Sequence, residues 1–188
     1  MSSLKRGGVW FALALSEKRR MIACSFSEEN QKKAEMAVLA SISPRDRPVQ
    51  KRPSAISTEF QELYDLYMGR RETDPCSIDL SHVSPFRRKV YTLLRRIPRG
   101  RVTTYGTIAE KLESRHYTRA VGTAVGINPM PLVIPCHRVV LSTLKVGSYG
   151  MPGRKPSEGS HVKKRLLERE DVEFLDGKIS SECLWFPN

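Results

Sequence analysis

Residues 134–140 read Ile134-Pro135-Cys136-His137-Arg138-Val139-Val140. A cysteine sits there in a tight apolar strip, with an imidazole beside it and a guanidinium one residue further. Hydrophobic packing has no need of a Cys-His-Arg centre, whereas a thiol near a base and a cation can become a thiolate nucleophile. A buried structural cysteine next to a surface histidine is the other reading of this strip taken alone. The sequence on either side decides between them.

The chain has 188 residues, of which 39% are apolar, enough for one domain or two small ones with a real core. No stretch approaches the roughly 18 apolar residues of a membrane span. Near the start, the apolar run Val9–Leu15 is cut by Ser16-Glu17-Lys18, which argues against a secretory leader. The expectation is a cytoplasmic protein with no membrane association. Charge is unevenly spread. Residues 1–80 hold 13 Lys and Arg against 11 Asp and Glu, a net of +2, while residues 81–188 hold 19 against 9, a net of +10. That split predicts two domains, 1–80 and 81–188, the second meeting a polyanion. Solubilising surface charge is the plainer alternative. Cys24, Cys76, Cys136 and Cys183 show no CxxC spacing, so no structural metal is expected. A Cys24–Cys76 disulfide stays open, because spacing alone cannot place their Cα atoms.

Val9–Leu15 and Met21–Phe26 predict an antiparallel hairpin, and Glu28–Ile42 a helix with Ala34, Val38 and Ile42 on one face. A Pro-rich charged link then runs through Pro53. Ser57 caps a second predicted helix bearing Phe60, Leu63, Tyr64 and Tyr67, which Gly69 ends, and Asp74–Leu80 reads as an edge strand. The first part is therefore a small α/β unit, a sheet with helices, without a catalytic constellation.

Beyond residue 82 short helices take over, predicting a mainly α second domain. Ser84-Pro85 opens one, with Phe86, Val90, Leu93, Leu94 and Ile97 inward and Pro98-Arg99-Gly100 as its stop. The short β-branched stretch Val102–Thr104 precedes a helix over Tyr105–Leu112. A third helix starts at Tyr117 or Thr118, where Arg119-Ala120-Val121-Gly122-Thr123-Ala124-Val125 mixes very small residues with apolar ones. Two short helices, a turn and a small-faced third helix are consistent with a helix-turn-helix. Close helix packing would also use such residues.

The ordered set Pro98-Arg99-Gly100-Arg101-Val102-Thr103-Thr104-Tyr105-Gly106, Arg119-Ala120-Val121-Gly122, Asn128-Pro129, Pro135-Cys136-His137-Arg138-Val139-Val140 and Gly147-Ser148-Tyr149 carries a resemblance. From about Phe86 to Glu170 the chain resembles the O6-alkylguanine-DNA alkyltransferases, the methylated-DNA–protein-cysteine methyltransferases. These repair alkylated guanine once and are consumed. The first 80 residues resemble the family's variable domain only in length and hairpin-first layout. Alkyltransferase-like relatives bind the same lesions without repair, typically because the cysteine is replaced; here Cys136 is present.

The resemblance implies that Cys136 takes the alkyl group from guanine O6 in duplex DNA. It implies a relay in which His137, oriented by Glu170, acts on the thiol through a water, while Tyr105 donates to N3 of the leaving base. Asn128 braces the active-site loop. Arg119 is the finger that fills the space of the flipped nucleotide, accompanied at the DNA surface by Thr118, Ala120, Gly122, Thr103 and Thr104. Pro131, Val139, Ser148, Tyr149 and Gly150 line the alkyl and base pocket. The segment Met151–Gly159 is longer than the family's usual glycine-rich link, which leaves the pocket's width open. Arg138 reaches either an acid or carbonyl of the protein, or a phosphate. No metal, nucleotide or methyl-donor cofactor is implied, and no protein partner: a monomer acting once.

Overall fold

The computed structural model describes residues 1–42, 56–72, 77–150 and 156–187. Three antiparallel strands, β1 (Ser2–Arg6), β2 (Val9–Leu15) and β3 (Met21–Ser27), form a sheet in that order. The hairpin expected at β2–β3 is present. The strand β1 was not foreseen, since Ser2-Ser3-Leu4-Lys5-Arg6 has too little apolar alternation to announce it. Gly7 and Gly8, with φ of 54° and 82°, make the two-residue turn into β2, where positive φ matches the twist of the strands.

The sheet buries both faces. Phe11, Leu13 and Leu15 face the main core, whereas Ala12 and Ala14 face helix α1 (Gln31–Ser41). The small alanines let α1 approach closely with its own Ala34 and Val38. A register shift beyond Ala14, where Leu15 pairs with Met21, returns Met21 to the core side and leaves Ile22 beside α1. The α1 helix is shorter than expected because Asn30 caps it, accepting from Lys33 N–H at 2.9 Å.

Helix α2 (Ser57–Tyr67) lays Phe60, Leu63, Leu66 and Tyr67 on the sheet, with Phe11 and Tyr67 rings edge to face at 5.7 Å. Ser57 is not its cap. Ile56 occupies that position without a side-chain bond, and it is held instead by burial in the core. Ile78, in the segment expected as an edge strand, makes one parallel bridge to Met21. The Pro-rich link over 43–53 and residues Asp74–Cys76 lie outside the described residues, so the Cys24–Cys76 pairing does too.

The second half is mainly helical. Pro85 starts α3 (Pro85–Arg95), which buries Val90, Tyr91, Leu93 and Leu94. Ser84 stands at the cap position but bonds Arg87 Nε instead of a backbone N–H. Strand β4 (Thr103–Thr104) leads into α4 (Tyr105–Lys111), and a short 3₁₀ turn leads into α5 (Thr118–Gly126). β4 pairs in parallel with β5 (Val139–Val140), the strand that follows Cys136-His137-Arg138. That two-residue ladder brings the start of α4 beside the cysteine. Helix α6 (Pro156–Arg169) and the small hairpin of β6 (Phe174–Leu175) and β7 (Lys178–Ile179) follow, and then a 3₁₀ turn over Ser181–Cys183. Residues Pro156 to Gly159, expected as part of a long link, are the first turn of α6, and Met151–Lys155 lie outside the described residues.

One apolar cluster joins the halves. It runs from Phe11, Leu13 and Phe26 through α2 to Val90, Ile108, Val121 and Ile134. Gly69, at φ 67°, lets the end of α2 abut the end of α6: a Cβ there would lie 2.1 Å from Arg169 O. With a shared core, the two halves should melt as one unit. Trp10 and Trp185 report on opposite halves, so fluorescence of Trp185→Phe and Trp10→Phe variants should give superimposable denaturant transitions. Phe11→Ala should lower both by about 3–5 kcal/mol. Two separate midpoints would contradict the shared core.

Candidate active site

Cys136 begins a short 3₁₀ turn through Arg138, after a loop stiffened by Pro129, Pro131 and Pro135. Asn128 organises that loop. Its Oδ1 accepts from Met130 N–H at 3.0 Å, while its Nδ2 donates to Ile134 O at 2.8 Å and to Cys136 Sγ at 3.0 Å. Asn128 therefore touches the thiol itself as well as bracing the loop, a contact that loop reasoning missed. On the other side the Tyr149 hydroxyl lies 3.8 Å from Sγ.

Beneath the thiol lies a buried ionic network. Arg138 is fully buried and forks onto Glu170, Nε to Oε2 at 2.7 Å and Nη2 to Oε1 at 2.8 Å, with Nη1 donating to Ile97 O at 2.6 Å. This resolves its alternatives: Arg138 meets an acid and a carbonyl of the protein, and its burial keeps it from phosphate. Glu170 stands just past the end of α6 and also holds His137, Nε2 to Oε1 at 2.9 Å. Burial works to raise the Glu170 carboxyl, but His137 and Arg138 outweigh it and bring the group down to about 2. An ionised carboxylate only accepts, so the proton of a neutral His137 ring belongs on Nε2 and its lone pair on Nδ1. Nδ1 is buried and has no hydrogen-bond partner among the described residues.

Lys163 is the residue that sequence reasoning passed over. It is 1% exposed, its Nζ donates to Val139 O at 2.6 Å, and it sits 5.9 Å from the Tyr105 ring centroid. Burial pushes its ammonium down to about 8, with the Cys136 anion acting in the opposite sense. A signal existed. Lys163, Leu166, Leu167 and Glu170 fall at i, i+3, i+4 and i+7, so Lys163 lies on the apolar stripe of α6 and Glu170 falls in line just past its end.

A cavity of about 230 Å³ lies at the thiol. Cys136, Asn128 and Lys163 form one part of its wall, and Tyr105, Pro131, Ser148, Tyr149 and Gly150 others. Gly122, Val125 and Gly126 of α5 complete it. Gly150 and Gly126 touch closely enough that a Cβ on Gly150 would lie 2.6 Å from Gly126 O, which explains small residues at that wall. Val139, expected in the pocket, lies outside this lining. The β4–β5 ladder turns its side chain into the core, and only its carbonyl serves the site, through Lys163.

The expected DNA-facing residues divide. Thr118, Arg119 and Ala120 are exposed and share an open groove with His116 and Thr123. Gly122 turns toward the cavity from the same helix. Thr104 caps α4, its Oγ1 accepting from Thr107 N–H at 3.1 Å. Thr103 is fully buried within the β4–β5 ladder, with no surface to offer DNA.

Burial pushes the Cys136 thiol up, while Asn128, Tyr149 and Lys163 pull it back only in part. The arrangement is a thiol kept protonated at rest, with hydrogen-bond donors and a cation ready for the thiolate. This is equipment for nucleophilic group transfer.

Comparison with known proteins agrees. Residues 85–172 match the family model described as the DNA-binding domain of 6-O-methylguanine DNA methyltransferase. The methylated-DNA–protein-cysteine methyltransferase of Sulfolobus acidocaldarius is 38% identical over 119 residues, 63% of this chain and 70% of that protein. That of Thermococcus gammatolerans is 40% identical over 124 residues, 64% of this chain and 66% of that protein, just under two thirds of its length. The fold matches the crystal structure of O6-methylguanine-DNA methyltransferase from the hyperthermophilic archaeon Pyrococcus kodakaraensis. The TM-score is 0.68 at 27% identity, over 91% of this chain and 98% of that one. The chain belongs to the O6-alkylguanine-DNA alkyltransferase family.

The buried network gives a sharp test. Glu170 has a folded value below its ordinary 4.5, so its contribution is complete above about pH 4.5 and is lost as pH falls toward about 2. Glu170→Gln strands Arg138 without a counter-charge, and should cost about 3–5 kcal/mol at pH 7. It should also flatten the acid loss. Urea unfolding between pH 3 and 7 reads both, and parental stability in the variant would contradict the pairing.

Proposed function

We propose that this protein repairs O6-alkylguanine in duplex DNA by transferring the alkyl group irreversibly to Cys136 Sγ, once per molecule. It acts as a cytoplasmic monomer, without cofactor or protein partner. The observation that carries this reading is the Cys136 thiol, which accepts the Asn128 amide at 3.0 Å beside a cavity that α5 also borders.

In this reading α4 and α5 are a helix-turn-helix, with α5 against the minor groove. Arg119 and Gly122 are three residues apart, one outward at the groove and one at the cavity. A nucleotide displaced by Arg119 thus meets the wall of the cavity that holds the thiol about one helical turn along α5. Thr118 stands beside Arg119 and contacts a phosphate once its hydroxyl proton turns away from Arg115 O, to which it donates at 2.7 Å.

The thiol proton passes through a water to His137 Nδ1, and Glu170 stabilises the imidazolium that results. Sγ then attacks the alkyl carbon in line with O6. The S–C bond forms as the C–O6 bond breaks, and the electron pair moves into the purine. Tyr105 is pushed up to about 12 by burial and then by Cys136, so it remains a phenol able to donate to N3 of the departing base. Lys163 offsets the thiolate while that charge exists. The product thioether has no good leaving group, so the reaction ends there.

Intact mass after mixing with O6-methylguanine duplex should show one added methyl on Cys136, lost in Cys136→Ala while duplex binding remains. Repeated turnover by one molecule, or binding without transfer, would reject the assignment. Tyr105→Phe should slow single-turnover transfer on the order of 10²-fold with little change in affinity. Arg119→Ala should impair repair in duplex far more than reaction with free O6-benzylguanine, which needs no extrusion. Equal losses on both substrates would remove Arg119 from flipping.

A further inference from the structure

The outer edge of β3 is covered in part by the active-site loop. Near its start, Met21 exchanges bonds with Ser77 O and Asp79 N–H, both at 2.8 Å. Three residues on, Cys24 makes two bonds to the acceptor loop. Its backbone N–H donates to Pro129 O at 2.9 Å, and its thiol donates to Pro131 O at 3.3 Å.

Those partners follow from covalent chemistry. Prolines carry no N–H, so positions 129 and 131 can offer β3 only carbonyls. A single residue answers both, one with its backbone and one with its side chain. Cys24 is 1% exposed and pairs with Leu13 in the sheet, so the thiol faces the main core in a fixed direction. What it holds matters to the chemistry. Pro131 borders the cavity, and Asn128, immediately before Pro129, delivers its amide to Cys136 Sγ at 3.0 Å. Tyr149, raised chiefly by burial and by Cys136, also feels Cys24.

We infer that Cys24 is a positioning residue for alkyl transfer: it fixes the Pro129 and Pro131 carbonyls so that Asn128 and the cavity wall meet Cys136 Sγ in register. The inference rests on the alkyl-transfer reading of Cys136. It gives the sheet of the first half a direct part in the reaction, through two hydrogen bonds and not through packing alone. Alanine at position 24 removes the side-chain donor and leaves the Pro131 carbonyl without it. Serine keeps a donor on the same carbon with a slightly shorter reach.

The test uses the full chain as parent, Cys24→Ala and Cys24→Ser. Two quantities are measured: the pH midpoint of Cys136 alkylation by iodoacetamide, followed by peptide mass, and the single-turnover rate with O6-methylguanine duplex. A displaced Asn128 amide stabilises the thiolate less. Cys24→Ala should therefore raise the midpoint and slow transfer about tenfold at unchanged duplex affinity, and Cys24→Ser should restore both to within about threefold. A folded Cys24→Ala with parental midpoint and rate overturns the inference. So does a loss of thermal stability with no shift in midpoint. If Cys24→Ala does not fold, Cys24→Ser decides: parental values support the inference, and shifted values in a folded variant overturn it. A parent inert toward methylated duplex would remove the alkyl-transfer reading, whereas the midpoint series would still report whether Cys24 positions Cys136.

Discussion

The forked ion pair between Arg138 and Glu170 is the constraint around which the site is arranged. A fully buried guanidinium is tolerable only when its charge and donors are met, and here a carboxylate takes two of them and the Ile97 carbonyl a third. Glu170 reaches that position only if α6 docks with its C-terminal end against the Cys136 turn. Docking α6 in turn drives Lys163, seven residues earlier, into the same interior. The carboxylate oxygen that meets Arg138 Nη2 also holds His137, so the pair sets the imidazole's tautomer along with the helix's position. Arg138 is thus a structural ion whose removal would misplace an acid, a base and a lysine together.

Two demands oppose each other at the thiol. Nucleophilic attack needs a thiolate, yet Cys136 is deeply buried, and burial favours the neutral thiol. Asn128, Tyr149 and Lys163 narrow the gap without closing it at rest. On the alkyl-transfer reading proposed above, that balance has a use: a resting thiol is a poor target for chance electrophiles, and the donors are in place when substrate excludes water and the proton leaves. The same burial keeps Tyr105 protonated, so one cavity holds both the phenol and the thiol in their neutral forms.

The first half is coupled to this site more closely than its near-neutral charge suggests. Arg99 donates to Gly69 O and to Arg169 O and pairs with Asp171, joining the ends of α2 and α6. Arg169 stacks 4.1 Å from the Tyr67 ring centroid, and Arg165 pairs with Glu28. Charge separates the chain at about residue 80, but apolar packing does not. The two properties answer to different demands: surface charge to what lies outside the molecule, and the core to the exclusion of water within.

Local chemistry carried a large share of what could be read beforehand. Proline at position 85, the apolar run around Phe11, the small residues of α5 and the Cys-His-Arg run each declare their element or their reactivity through neighbours in the chain. The order of motifs was enough for the family. What failed locally was also instructive: Ser57 is a good cap by type, yet burial of Ile56 set the start of α2. Thr103 and Val139 looked available, and a two-residue parallel ladder between distant segments turned both inward. Lys163 had a place on the apolar stripe but no partner until α6 met the Val139 carbonyl, and Arg138 could not choose its partner before Glu170 arrived from 32 residues away. Sequence by itself determined which groups could react and where the chain would turn. Only the tertiary structure decided which charges left water, because desolvation belongs to the surfaces that close over a group and not to the residues beside it.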